Sequence, residues 1–282
     1  MLNLFDSWHS QPFFVNLIGI PCFYVARFIA NFAGNYYCME KIISYPISAI
    51  FYLCFGFLLA LFQPIQYICY NLFGYQAHKK SVDYLNFGLV SCTRLLGTTY
   101  KFANIDRMPK NVPLIIVANH QSMYDITAII WYLRRFHPKF VSKKELGKGI
   151  LSVSYNLRVG GSVLIDRYDP KQAIPTIRGL AEYIEKHNRS AVIFPEGTRS
   201  QDGHPKEFAT SGLKILCKNA PSAHVVPITI NNSWKIVRYG KFPLGLGNRL
   251  TFTVHEPIAV NSATFDQIMS YAQGSIVGGI KI

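Results

Sequence analysis

His120 and Asp125 are the pair in this chain whose types and spacing suit proton transfer. A carboxylate five residues beyond an imidazole can hydrogen-bond one ring nitrogen. That bond fixes the tautomer, steadies the imidazolium and leaves the other nitrogen free as a base. The arrangement is the His–Asp half of a hydrolytic triad. No GxSxG serine elbow occurs in the sequence. The hydroxyl that His120 deprotonates is therefore expected on the substrate, attacking an activated acyl group directly. Water is the other hydroxyl such a pair can activate, which would give a hydrolase. Read alone, the two residues also fit a structural histidine and a helix-capping aspartate.

A second cluster is Glu196-Gly197-Thr198-Arg199. Gly197 allows close backbone approach, and a hydroxyl beside a forked guanidinium suits phosphate. Asp166-Arg167 offers another anion-contacting arginine beside an acid, and Lys143-Lys144 add positive charge. Taken one at a time, each also fits a solvated surface turn.

These clusters follow short apolar runs. Leu114–Ala118 leads into Asn119–Asp125, Ser162–Ile165 into Asp166-Arg167, and Ala191–Phe194 into Pro195–Ser200. Lys139–Val141 and Val225–Ile230 are similar runs, and Leu250–Val254 alternates like an edge strand. Continuous apolar strands point to a parallel sheet covered on both faces. Helical patterns cover Ile126–Arg135, about Pro170–His187 and about Phe208–Asn219. Asp169-Pro170 reads as a cap with a first-turn proline, and Pro175 is expected to shorten or kink its helix. The expectation is an α/β fold: a mostly parallel central sheet flanked by helices, with an N-terminal membrane-embedded helical segment. Ligands of such sheets gather at the carboxyl ends of the strands, so three polar clusters there predict one cleft.

Of the 282 residues, 50% are hydrophobic and 16% charged, which excludes extensive disorder. The six cysteines show no paired spacing and read as buried thiols rather than a disulfide framework. The net charge is +14. Residues 1–78 carry Arg27 and Lys41 against Asp6 and Glu40, so the whole excess lies in 79–282. That balance calls for an anionic partner. The basic residues are scattered and no nucleic-acid-binding motif occurs, so nucleic acid is not expected. His78, His137, His187, His204, His224 and His255 lack metal-ligand spacing, so no metal is expected.

From Ile42 to Ala77 no charged residue occurs. The run is too long for one straight crossing of a ~30 Å hydrocarbon core. Pro64 is expected to end a first helix near Phe62, giving either one span at about 43–63 or a hairpin that dips in and returns. Residues 12–26 form a shorter apolar patch, read as an interfacial helix. The expected division is an anchoring region at 1–78, hydrophobic over about 42–77, and a catalytic domain at 79–282.

Four segments occur in order: NHQSMYD at 119–125, GSVLIDR at 161–167, FPEGTRS at 194–200 and VVPITI at 225–230. Together they resemble the motifs of the glycerolipid acyltransferases, and within them the 1-acylglycerol-3-phosphate acyltransferases. The first and third match in full; in the second, Leu164 stands where the family usually has Phe. The likeness spans about residues 80–260. It implies that His120 is the general base on the free hydroxyl of lysophosphatidic acid, oriented by Asp125. It implies that Arg167, Glu196, Gly197, Thr198 and Arg199 shape the acceptor site, with the arginines on the phosphate, and that the Val225–Ile230 strand lines the acyl region. The implied donor is acyl-CoA or acyl-carrier protein, used as a co-substrate with no cofactor, and the product is phosphatidic acid. The implied setting is a lipid bilayer, with the catalytic domain on the cytoplasmic face of a bacterial inner membrane. Another acceptor, such as glycerol-3-phosphate or a different lysolipid, keeps the same chemistry. A membrane-anchored protein that only binds anionic ligands is the non-catalytic alternative.

Overall fold

The computed structural model describes the backbone of residues 22–281 and the side chains of 38–281. The chain divides into two compact units, Met1–Ile42 and Ile43–Ile282. Packing is described below for the second unit alone. Residues 12–21 of the first apolar patch lie outside the described residues.

Helix α1 (Cys22–Cys92) contains Pro46 and Pro64 and passes through both; it breaks instead at Gly74, with φ 73° and ψ −166°. That backbone is open to glycine and costly for other residues. Pro64 therefore does not end the helix as the sequence suggested. Beyond Gly74 the chain folds back, and Gly88 lies against the Leu58 side chain. The apolar segment is thus a helical hairpin. Among the described residues, this is the one helix long and apolar enough to cross a membrane by length and composition.

The first limb is polar where it meets the protein and apolar where it does not. Ser44, Ser48, Phe51 and Gln66 are buried, whereas Leu53 is 75% and Leu72 73% exposed. The Leu244 N–H donates to Ser48 Oγ at 2.8 Å, and the Ser152 hydroxyl donates to the Leu59 carbonyl at 2.6 Å. The Ser152 N–H also donates to Gln63 Oε1. Composition changes at residue 78, but these contacts make the hairpin part of the same compact unit as the sheet.

The remaining elements are β1 (Thr99–Ala103), β2 (Leu114–Ala118), α2 (Tyr124–Tyr132), β3 (Pro138–Lys143), α3 (Val153–Val159) and β4 (Val163–Ile165). They continue with α4 (Pro170–His187), β5 (Ser190–Ile193), α5 (Ser211–Asn219), β6 (His224–Asn231), β7 (Arg249–Val254), β8 (Ile258–Ala259) and α6 (Phe265–Gly278). The described strands form an eight-stranded sheet ordered β1-β7-β6-β2-β5-β3-β4, with β8 added to β6. From β6 to β4 every pairing is parallel. β7 runs antiparallel to β6 and parallel to β1. β7 is therefore covered by β1 rather than being the edge; its alternation reflects one polar face, not an open side.

Every residue of β2 is buried. Leu114, Ile116 and Ala118 pack with Phe51 of α1, Tyr124 of α2 and Phe252 of β7. Ile115 and Val117 pack on the opposite face with α4, α5 and α6. A strand sandwiched between helices has no polar side to show, which explains its continuous apolar run. In α4, Asp169 accepts from the N–H groups of Lys171 and Gln172, and Pro170 starts the helix. Pro175 does not shorten it, since the helix runs on to His187.

Candidate active site

The carboxyl end of β2 is fixed before any catalytic group appears. The Asn119 side chain donates to the Ile230 carbonyl at 2.8 Å and accepts from the Ile230 N–H at 2.7 Å, locking β2 to β6. His120 follows. Its N–H donates to Glu196 Oε1 at 2.8 Å, and its carbonyl accepts from the Ser200 N–H at 2.8 Å. Its ring stacks on Phe194, with centroids 4.1 Å apart. Backbone and ring are thus held by the segment after β5.

His120 Nδ1 stands 2.9 Å from Asp125 Oδ2. Asp125 lies in the first turn of α2 and is fully buried. Its Oδ2 also accepts from the N–H groups of Gln121 (2.8 Å) and Ser122 (2.9 Å). Its Oδ1 takes the Ser233 hydroxyl and, at 3.4 Å, that of Ser122. A carboxylate surrounded by donors can only accept, so the proton of the pair sits on Nδ1 of His120. Nε2 then carries the lone pair. The His120 side chain keeps 13% exposure, and Nε2 has no protein partner among the described residues. The pair combines a cap for the turn with an imidazole held by one nitrogen and open at the other.

Arg167, after β4, reaches the loop after β5. Its Nη1 lies 3.5 Å from where a Cβ on Gly197 would stand. Gly197 has φ 67°, so a side chain there would be strained, and its Cβ would sit in van der Waals contact with the guanidinium. Thr198 and Arg199 are exposed. Neither the Arg167 nor the Arg199 guanidinium has a hydrogen-bond or ion-pair partner among the described residues, which leaves both forks available to an anion.

Glu196, expected at the acceptor, is buried with both oxygens engaged. Oε1 takes the His120 N–H, and Oε2 takes the Lys206 N–H at 2.9 Å. It joins the segment after β2 to the loop after β5. Burial pushes its carboxyl up, opposed by those two N–H groups. The Val225–Ile230 strand is buried in β6, with Val226, Ile228 and Ile230 on the face that packs with Phe51 and Tyr124.

Ser233 and Lys206 escape the sequence reading. Ser233 lies 108 residues from Asp125, and its N–H is fixed by Gln121 Oε1 at 3.0 Å. Lys206 Nζ donates to Thr198 Oγ1 at 2.7 Å and to the Arg199 carbonyl at 3.1 Å. Neither has a local pattern; only the Asn119–Ser122 segment, inside the first motif, carried a signal.

An imidazole with one open nitrogen and two arginines thus lie at the carboxyl ends of strands in a mostly parallel sheet. Residues 99–231 match the family model Acyltransferase. A 1-acyl-sn-glycerol-3-phosphate acyltransferase of Helicobacter pylori is 37% identical over 125 residues, covering 43% of this chain and 50% of that protein. One of Saccharomyces cerevisiae is 28% identical over 191 residues, 64% of this chain and 58% of that protein. The chain spans about half the length of several curated relatives it matches. The fold matches the crystal structure of the 1-acyl-sn-glycerophosphate acyltransferase PlsC from Thermotoga maritima, with a TM-score of 0.69 and 22% identity over 86% of this chain and 95% of that one.

Proposed function

We propose that the protein is a 1-acylglycerol-3-phosphate O-acyltransferase that makes phosphatidic acid at a membrane surface. The observation that carries this reading is the 2.9 Å His120–Asp125 contact, with Nε2 open at the strand ends where Arg167 overlies Gly197. His120 Nε2 takes the proton of the free lipid hydroxyl as its oxygen attacks the thioester carbon. The C–O bond forms, the carbonyl becomes an oxyanion, and the intermediate collapses by breaking the C–S bond. The imidazolium returns its proton to the departing sulfur. A thiol of pKa ~8.5 leaves readily, so one base suffices. Asp125 holds the imidazole and stabilises its charged form. Arg167 and Arg199, with the Thr198 hydroxyl, grip the acceptor phosphate.

The relatives' names support lysophosphatidic acid as acceptor. The basic 79–282 region suits an acidic donor, acyl-CoA or acyl-carrier protein, and anionic headgroups. The apolar outer face of α1 supports seating the site at a bilayer; the cytoplasmic face of an inner membrane is part of the proposal. The test is transfer from acyl-CoA by the full chain in detergent, with lysophosphatidate, glycerol-3-phosphate and other lysolipids in parallel. His120→Ala is expected to lose at least ~10³-fold in kcat while remaining folded. Normal turnover by that variant, or fatty acid release without acceptor as the main reaction, would overturn the reading.

A further inference from the structure

A polar cavity lies at the end of the sheet opposite His120. His120 follows the carboxyl end of β2, whereas Lys139 is the second residue of β3, at its amino end. The cavity is lined by His78, Lys79 and Asp83 of the returning limb of α1, by His137 and Lys139, and by Ser162. Its volume is about 20 Å³, enough for a water-sized or monatomic occupant and too small for a phosphate.

Its walls carry more positive charge than they balance. Lys139 is only 7% exposed and has no carboxylate within ion-pair distance. The one acid facing the cavity, Asp83, is paired with Lys79. Lys139 Nζ lies 4.8 Å from the Tyr75 ring centroid, and the Arg189 guanidinium carbon lies 4.0 Å from the same centroid, so two cations share one ring. Burial, with Arg189 and Lys79 nearby, pushes the Lys139 ammonium down to about 7. His137 is pushed down to about 4 by burial and the same cations, so it stays neutral. Its Nδ1 is engaged by the Tyr75 hydroxyl at 2.9 Å.

Two polar groups also face the cavity with capacity unused, and His78 Nε2 is a donor in the tautomer that carries the ring proton there. His78 is 1% exposed and its Nε2 has no partner. Ser162 Oγ accepts from the Phe140 N–H at 3.1 Å, which leaves its own hydrogen to donate. A buried ammonium, an orphan ring nitrogen and a hydroxyl around a monatomic space lack one thing, a small negative charge.

We propose that this cavity binds a monovalent anion of chloride size, held by the Lys139 ammonium with hydrogen bonds from His78 Nε2 and Ser162 Oγ. The anion neutralises the cluster and pins the returning limb of α1 to the start of β3. The site is independent of the acyl-transfer reading. Its test is thermal unfolding of the full chain in detergent at constant pH and ionic strength, with potassium chloride replaced stepwise by potassium gluconate, whose anion cannot enter. Tm is expected to rise with chloride and to gain roughly 5 °C once chloride exceeds its Kd a hundredfold. Lys139→Met is expected to unfold at a temperature independent of the anion. Should that variant not fold, bromide replaces chloride in crystals of the unaltered chain, and its anomalous signal is expected beside Lys139 Nζ. Identical Tm values in chloride and gluconate, or no bromide at that position, would overturn the proposal.

Discussion

The Ser233 hydroxyl donates to Asp125 Oδ1 and also meets the Ser122 hydroxyl, which ties the turn after β6 to the carboxylate that orients His120. Ser233 has no hydrogen bond to His120, Arg167 or Arg199 among the described residues. Ser233→Ala leaves Asp125 one donor short in a fully buried place, at a cost of about 1–2 kcal/mol of stability. Because the loss acts through His120, kcat is expected to fall roughly 3–10-fold with KM unchanged. Ser233→Thr, which keeps the hydroxyl, should recover most of the rate. Steady-state kinetics decide it: a rise in KM alone would contradict the positioning role.

Glu196 predicts a pH-dependent stability. Its folded-state pKa is raised by burial, so folding favours the protonated carboxyl. That contribution is fully present below about 4.5, the ordinary value, and is lost as pH climbs from there through the raised value. The unaltered chain should lose thermal stability over that interval more steeply than Glu196→Gln. The variant should also be slower, because an amide has one acceptor oxygen for two N–H donors, those of His120 and Lys206. Melting curves from pH 4 to 7 on both proteins test the slope, and equal slopes would refute it.

Lys206 braces the loop that presents Thr198 and Arg199. Lys206→Met frees that loop without touching His120. KM for lysophosphatidate is expected to rise roughly 3–10-fold while kcat stays within about twofold. An unchanged KM would leave Lys206 as a surface cation only.

The strands, the His120–Asp125 pair and the strand-end clusters were legible because each rests on contiguous residues. Leu114–Ala118 is apolar throughout because both its faces are covered, and the NHQSMYD segment holds base and orienting acid within one turn. The Ser233 contact, the β1–β7 pairing and the two-loop clasp of Glu196 were not legible, since each joins segments distant in sequence through tertiary packing. Pro64 misled for a related reason. Proline disfavours a helix interior locally, but Gln63 and Gln66 on either side are held against the protein, and the turn falls at Gly74. α3 and α6 carried too weak an apolar period to be read.

Phe51 links the hairpin to the site. It is fully buried and packs edge-on to Tyr124, with centroids 5.9 Å apart, and Tyr124 precedes Asp125. Phe51→Ala opens a cavity between α1 and α2 and is expected to cost about 3–5 kcal/mol. Phe51→Leu should cost clearly less. Activity should follow the same order below the melting temperature, as Tyr124 loosens. A Phe51→Ala protein that melts with the unaltered chain would show that the limb is not anchored there.

The outer face of the hairpin gives the last prediction. A helix in water turns its polar side outward, but the first limb of α1 puts Ser44, Ser48 and Gln66 inward and leaves Leu53, Phe57, Leu72 and Phe73 uncovered. That inversion makes sense against hydrocarbon and not against water. The double variant Leu53→Glu/Leu72→Glu alters two outward positions and no inward contact. It should therefore keep the Tm of the unaltered chain in detergent, yet lose most of its co-sedimentation with vesicles of phosphatidylglycerol and phosphatidylethanolamine. Transfer to lysophosphatidate presented in those vesicles should fall with it, while transfer to a short-chain soluble acceptor should not. If the variant sediments with vesicles as fully as the original, the uncovered leucines are not what holds the protein at the membrane.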